Sequence, residues 1–310
     1  MSINNIPKTI HYCWFGGNPL PDEALRCIES WKKYCPDYEI KRWDEKNFNI
    51  NICEYVLSAY REKKWAFVSD YARFWILYNY GGIYFDVDVE LLKPIDSIIS
   101  QGQFVGCEKV DYDKYKTEVI LRELKRTNNQ RLIDCYNEER IRDIKYGVNP
   151  GLGIGLKRHS WFALNMITQY ESRCLYDSNN NIQAVNVVDL TTIQCLSYGV
   201  CSFDKTVTVK VQNDEELSIY PVEFFCPMDY TTGNLNITEH TYSIHHYKES
   251  WLSKPKRIEN NIIKWFNRHN IKTPSVVRFV TLPFRIMNKT VELGIRKTIV
   301  FALRKISGGQ

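Results

Sequence analysis

Apolar residues along the first ninety positions change period in a regular order. Ile6 to Phe15 is a mostly apolar run of strand length, and Tyr38 to Trp43 alternates as a second strand. Between them, residues 22–34 take helical spacing: Leu25, Ile28 and Trp31 recur every three positions, and Asp22 and Glu23 open the segment as acids do in a first helical turn. Residues 52–80 are mostly helical. Phe67, Tyr71, Phe74 and Tyr78 form an apolar stripe, and Gly81-Gly82 predicts the stop and the turn into a strand. Over 83–90 the period becomes two. Ile83, Phe85, Val87 and Val89 share one face, and Tyr84, Asp86, Asp88 and Glu90 the other. Residues 114–144 mix Leu, Ile and Tyr with many charges, which predicts a solvent-facing helical insertion at about 112–145. Alternating β and α elements with short connections predict an α/β open sheet with ligands bound beyond the carboxyl ends of its strands. Trp14 and the Asp86–Asp88 pair fall there.

Two carboxylates on one face of an otherwise apolar strand need compensation, since bare buried charges cost several kcal/mol each. A divalent cation supplies it. Carboxylate oxygens suit Mg²⁺ or Mn²⁺, and such an ion can in turn hold a diphosphate. Asp-x-Asp alone is common, and two solvated acids at a strand end are the alternative. Asp70 and Arg73, three apart on the preceding helix, share a face; they could hold a ligand's hydroxyls or form an ordinary ion pair. Asn149-Pro150-Gly151-Leu152-Gly153-Ile154-Gly155 is glycine-rich without the spacing of a phosphate loop. Its glycines suit close approach of backbone to backbone or of backbone to ligand.

The ten cysteines include no Cys-x-x-Cys pair, so spacing gives no zinc-ribbon or dithiol signature. Without a signal-peptide pattern they are expected as reduced thiols in a cytoplasmic protein. Charge is uneven. From Lys248 onward fourteen Lys and Arg face three Glu, a balance of +11 within a total of +5, which leaves −6 on the first 247 residues. Ile262, Ile263, Trp265 and Phe266, then Val276 to Phe284 and Val291 to Ile306, set apolar faces among these basic residues. Such helices lie on anionic membrane surfaces or dock on the protein body.

Ser69-Asp70-x-x-Arg73 followed by Tyr80-Gly81-Gly82-Ile83-Tyr84-x-Asp86-x-Asp88 resembles the sugar-binding region of DXD glycosyltransferases, most closely family 32. That family includes capsular polysaccharide transferases and initiating mannosyltransferases, with the glucosylating domain of large clostridial toxins as a relative. Ile6 to Gly17 resembles the family's first strand, and His245-His246-Tyr247…Ser250-Trp251 its closing segment. The resemblance implies a GT-A-type open mixed sheet flanked by helices over residues 1–255, with 256–310 as a basic helical extension. It implies a retaining transfer from a nucleoside diphosphate sugar, with a UDP-sugar as the expected donor. Asp88 would be a direct ligand of Mn²⁺ or Mg²⁺, and Asp86 would contact donor and metal through water. Tyr84 would pack at the donor, and Asp70 and Arg73 would hold sugar hydroxyls. Trp14, after Cys13, would stack on the base, with a core role as its alternative. His245 is the preferred imidazole ligand and His246 the reserve. Ser250 and Trp251 would reach the diphosphate, and Asn149 the donor or acceptor.

The expected acceptor is a growing polysaccharide or lipid-linked oligosaccharide at the inner face of the cell membrane, reached through the basic tail. A toxin-like enzyme glycosylating a protein is the second reading. A nucleic-acid binder is the third. It has no zinc spacing, aromatic RNA-binding strand or helix-turn-helix signal behind it, so nucleic acid is not an expected partner.

Overall fold

A computed structural model of the chain describes residues 6–126, 128, 133, 136–176, 185–200, 202–248, 252–271 and 273–293. The chain divides into two compact units, Met1–Pro227 with Asn236–His246, and Met228–Leu235 with Tyr247–Gln310.

The first unit is a mixed α/β sheet flanked by helices. Strands β1 (Thr9–Cys13), β2 (Glu39–Trp43) and β3 (Gly82–Tyr84) alternate with helices α1 (Asp22–Tyr34), α2 (Glu54–Arg61) and α3 (Trp65–Tyr80). They are followed by β4 (Val89–Leu91), α4 (Asp96–Ile99), β5 (Phe104–Lys109), β6 (Tyr146–Leu156), β7 (Val207–Lys210), β8 (Glu216–Tyr220) and β9 (Ser243–His245). Seven strands make one sheet in the order β2-β1-β3-β6-β5-β8-β7, and β4 and β9 make a separate pair. β1 is parallel to β2 and to β3, whereas β6 runs antiparallel to β3 and β5. The carboxyl ends of β1 and β3 therefore open at the same end of the sheet.

The segment 83–90, expected as one strand, is two. β3 ends at Tyr84, and Asp86 to Asp88 form a tight turn in which the Val89 amide donates to the Asp86 carbonyl at 3.1 Å. The reason lies in α1. Trp31, fully buried, donates its indole N–H to the Val89 carbonyl at 2.7 Å, and the Leu91 amide donates to the Ser30 hydroxyl at 2.9 Å. These bonds draw the chain off the large sheet and onto β9. The two acids thus project from the junction of two sheets rather than from one strand face.

Helices Lys114–Arg126 and Glu138–Arg142 occupy the expected insertion. It is less solvent-facing than its charge suggests. Ile120, Leu124 and Ile141 are buried and join the main core with Tyr112 and Tyr136. Ile120 and Leu124 are four apart, enough for one apolar stripe on an otherwise polar helix. Beyond, helices Trp161–Glu171 and Val187–Ser197 cover the sheet. Buried Glu215 accepts from the Ser160 hydroxyl at 2.6 Å and from the Trp161 amide at 3.0 Å, so a distant carboxylate caps the first of these helices.

In the second unit, helices Lys254–Arg268 and Pro274–Leu293 are joined through buried Glu259. Its carboxylate accepts from Lys256 at 2.9 Å and from Arg285 at 2.7 Å. Burial alone would raise that carboxyl, but the two cations outweigh it and hold it below its ordinary range. Phe279 is 78% exposed, and Trp265, Leu282 and Met287 are exposed too. No described helix is long and apolar enough to cross a membrane. The amphipathic stretch expected to reach Ile306 lies outside the described residues beyond Leu293.

Candidate active site

α3 supplies the first half of the site. Gly81 closes this helix with a positive φ of 65°, its amide bonded to the Leu77 carbonyl at 2.8 Å, and Gly82 continues at φ 103°. A Cβ on Gly82 would lie 2.6 Å from the Thr9 carbonyl, so glycine permits the close approach of β3 to β1. On the inner face of α3, Asp70 and Arg73 form an ion pair of 2.8 Å with Arg73 only 3% exposed, so it is no surface pair. Arg73 also lies 3.5 Å from Asp86, and its guanidinium stacks over the Tyr84 ring at 4.8 Å. The Tyr84 hydroxyl donates to the same Asp86 oxygen at 3.0 Å.

Asp70, Arg73, Tyr84 and Asp86 are therefore one connected cluster, and each charge is tuned by the others. Burial pushes the Asp70 carboxyl up to about 7, against the pull of Arg73 and with a further push from Asp86. Burial works against the Arg73 charge, yet Asp86, Tyr84 and Asp70 outweigh it and keep the guanidinium firmly protonated. Cys13 lies behind this cluster. It is buried, and burial pushes its thiol up to about 12, so it is neutral packing beside Tyr84. Trp14, one residue on, is only partly buried. Its indole N–H donates to the Asn18 carbonyl at 2.7 Å, so it stands at the end of β1 rather than in the core.

The second half comes from far along the chain. β9 pairs antiparallel with β4, with Val89 opposite His245, and the His246 amide donates to the Asp88 carbonyl at 3.0 Å. This register brings His245 Nε2 to 3.2 Å from Asp88 Oδ1 and turns His246 to Glu90 at 2.8 Å. Burial would depress the His245 imidazole, but the charge and hydrogen bond of Asp88, together with Cys226, hold it well above its ordinary value. Of the two histidines it is His245 that meets the second acid of Asp-x-Asp.

This geometry can be tested against a divalent cation. Octahedral ligands at about 2.0–2.1 Å from Mg²⁺ stand about 2.9 Å apart when adjacent. The 3.2 Å between Asp88 Oδ1 and His245 Nε2 is close to that edge, and both groups are hard or borderline donors. The pair fits such an ion without rearrangement of the backbone.

β6 closes the site. The Asp86 amide donates to the Gly151 carbonyl at 2.8 Å, and a Cβ on Gly151 would fall 2.1 Å from Asp86 Oδ2. The Asn149 side chain accepts from the Gly151 amide at 2.7 Å and donates to Glu108 at 2.8 Å. The glycine-rich stretch is thus a β-strand whose missing side chains let Asp86 lie against backbone. Gly151 belongs to the stretch expected to allow close approach, whereas Glu108 and Cys226 were not singled out by sequence. Only the glycines carried a signal, and nothing local marks Glu108 or Cys226. Ser250 and Trp251 lie outside the described residues.

With the site in view, the comparisons with known proteins fall into place. Residues 21–105 match the family described as "Glycosyltransferase sugar-binding region containing DXD motif", a span that holds Asp70, Arg73, Asp86 and Asp88. Residues 21–105 are therefore similar to the sugar-binding region of DXD glycosyltransferases. Among individual proteins, it is 32% identical over 112 residues to inositol phosphoceramide mannosyltransferase 1 of Schizosaccharomyces pombe, covering 33% of this chain and 34% of that protein. It is 30% identical over 109 residues to the initiation-specific alpha-1,6-mannosyltransferase of Candida albicans, covering 32% and 28%. The chain thus matches about a third of the length of these curated relatives. Among solved structures it is similar to the PaToxG glycosyltransferase, with a TM-score of 0.35 and 14% identity over 62% of this chain and 70% of that one.

Proposed function

We propose that the chain is a metal-dependent glycosyltransferase that moves a sugar from a nucleoside diphosphate sugar, with retention, to a glycan or lipid-linked glycan acceptor. The observation that carries this reading is the meeting of Asp88 with His245, which lies outside the matched span, beside the Asp70–Arg73–Tyr84–Asp86 cluster within it. A divalent cation bound at Asp88 and His245 would supply charge stabilisation for the departing diphosphate. The chain's own residues do the rest. Arg73 holds Asp86 and Asp70 in place, Asp70 and Asp86 accept from sugar or ribose hydroxyls, and Tyr84 fixes the rotamer of Asp86. Trp14 offers an aromatic face to the base at the common carboxyl end of β1 and β3.

UDP-sugars are the first donors to try. Two matched relatives are named as mannosyltransferases, so a nucleoside diphosphate mannose is the second. The test is a thermal-shift screen of nucleotides and nucleotide sugars with and without Mn²⁺, because a ligand of the folded state alone raises the melting temperature. One diphosphate should stabilise the protein with Mn²⁺ well beyond the effect of either alone. Stabilisation unchanged by chelation would overturn the metal role. The anomeric configuration of the product, read by proton NMR, checks retention.

The exposed apolar side chains Phe279, Leu282 and Met287 beside Arg278 and Arg285 favour a place on an anionic lipid surface for the second unit. Phe279→Glu should reduce sedimentation with phosphatidylglycerol vesicles. Equal sedimentation would remove this surface from the proposal.

A further inference from the structure

Beside His245 two further donors converge. Glu108 extends from β5, Cys226 follows the short helix Val222–Phe225, and His245 ends β9. Their ligand atoms all lie within 4.8 Å of one another. Cys226 and His245 are buried and Glu108 is partly buried. Each is held by its surroundings. The Cys226 amide donates to the Val222 carbonyl at 2.8 Å, the Asn149 amide group holds one oxygen of Glu108 at 2.8 Å, and β4 fixes the backbone of His245.

We propose that Glu108, Cys226 and His245 form a site for a thiophilic divalent cation, of which Zn²⁺ is the fitting example. Sulfur, imidazole and carboxylate together favour zinc over magnesium or manganese, and three protein ligands leave one position open in a tetrahedral shell. Adjacent ligands of tetrahedral zinc stand about 3.5 Å apart, so donors that lie within 4.8 Å of one another need to close in only slightly, by no more than about 1.3 Å. Binding releases the thiol proton of Cys226 and the acidic proton of the imidazolium to solvent, and forms the metal–sulfur and metal–nitrogen bonds. The site shares His245 with Asp88, 3.2 Å away. Zinc held here therefore takes the imidazole that a harder ion at Asp88 would use, and the two ions exclude each other. Sequence spacing hides the site because its donors lie on three separate elements.

The experiment uses the full chain and Co²⁺ as a spectroscopic stand-in for zinc. Co²⁺ should produce a thiolate-to-cobalt charge-transfer band that Zn²⁺ bleaches by displacement. Cys226→Ser should remove the band, and Glu108→Gln should weaken Zn²⁺ binding by about tenfold or more while the band remains. Absence of the band from the folded wild-type protein overturns the proposal whether or not the variants fold. A band undiminished in folded Cys226→Ser or Cys226→Ala overturns it as well, since the ion would then sit on another thiol. The exclusion is read by electron paramagnetic resonance of Mn²⁺, where added Zn²⁺ should return bound Mn²⁺ to the free signal; simultaneous binding of both ions would overturn the sharing of His245. The cobalt band needs no donor sugar, so it stands or falls separately from Mn²⁺-dependent nucleotide binding.

Discussion

The two halves of the candidate site are built in opposite ways. Asp70, Arg73, Tyr84 and Asp86 lie close along the chain and form one connected network in which all but Asp86 are buried. Asp88 and His245 are more than 150 positions apart, and only the pairing of β4 with β9 brings them together. The first half is stiff because local spacing and packing over-determine it. The second depends on a three-residue strand pair anchored by Trp31 and Ser30 of α1. This contrast suggests that mutations in the first half act mainly on folding, and those in the second on ion and donor binding.

The largest effect should come from breaking the local half. Arg73→Leu leaves Asp70 and Asp86 without their cation, and removing one partner of a buried pair costs about 3–5 kcal/mol. Chemical denaturation should show a loss of that order. A variant as stable as the wild type would mean that Asp70, whose carboxyl burial already pushes up to about 7, simply takes a proton. Asp88→Asn tests the other half. Asp88 is itself partly exposed and asparagine keeps its shape, so the fold should persist, while turnover falls on the order of 10²–10³-fold as an electrostatic stabiliser is lost. Coupled loss of stability and turnover in this variant would erase the distinction between the halves.

The same contrast decides what could be read from the sequence. β1, β2, α1, α3 and the stop at Gly81-Gly82 follow from hydrophobic period and glycine placement, which are local properties, whereas β5 to β8 were not read from the sequence. Asp70 with Arg73 was legible as a pair from its i, i+3 spacing, though its burial was not. The single strand expected over 83–90 failed because alternation cannot report that Trp31 takes the Val89 carbonyl and pulls the chain away. The charged insertion was read as solvent-facing because charge count hides a stripe as narrow as Ile120 and Leu124. Glu108 and Cys226 carry no local mark at all. Their place beside His245 depends on strand order, with β5 next to β6 and β9 on a different sheet.

A smaller effect sharpens the account of the turn between the halves. His11 on β1 donates from Nε2 to the Gly81 carbonyl at 2.9 Å and accepts at Nδ1 from the Trp43 indole at 3.1 Å, so the bonds fix one neutral tautomer. Burial lowers its pKa to about 4, with Lys41 adding to the shift against the Gly81 bond. The unfolded chain, with an ordinary imidazole near 6.5, binds the proton first. This group's contribution is therefore fully present above about pH 6.5 and is lost as pH falls toward 4, up to roughly 3 kcal/mol. His11→Gln should flatten the stability–pH slope in that window relative to wild type. The comparison cancels Asp70, whose raised carboxyl acts with the opposite sign. An unchanged slope would mean that His11 stays accessible to protons.

The smallest effect expected is at Trp14, outside both halves. It stands at the end of β1, with its amide bonded to the Trp43 carbonyl at 2.9 Å and Gly16 and Gly17 following at φ 92° and 69°. Those glycines let the chain turn sharply after the indole, and the Gly16 amide donates to Glu45 at 2.6 Å to fix the turn. Because the ring is only partly buried, Trp14→Ala should leave the fold intact by circular dichroism. Titration calorimetry with a nucleoside diphosphate and Mn²⁺ should then show binding weaker by about 1–3 kcal/mol, the scale of base–aromatic stacking. On the proposed reading the indole meets the base and the Asp70–Arg73 half the sugar, so the loss should be the same for the diphosphate and for its sugar conjugate. A loss confined to the conjugate would move Trp14 to the sugar side. Unchanged affinity in a folded variant would remove it from the site.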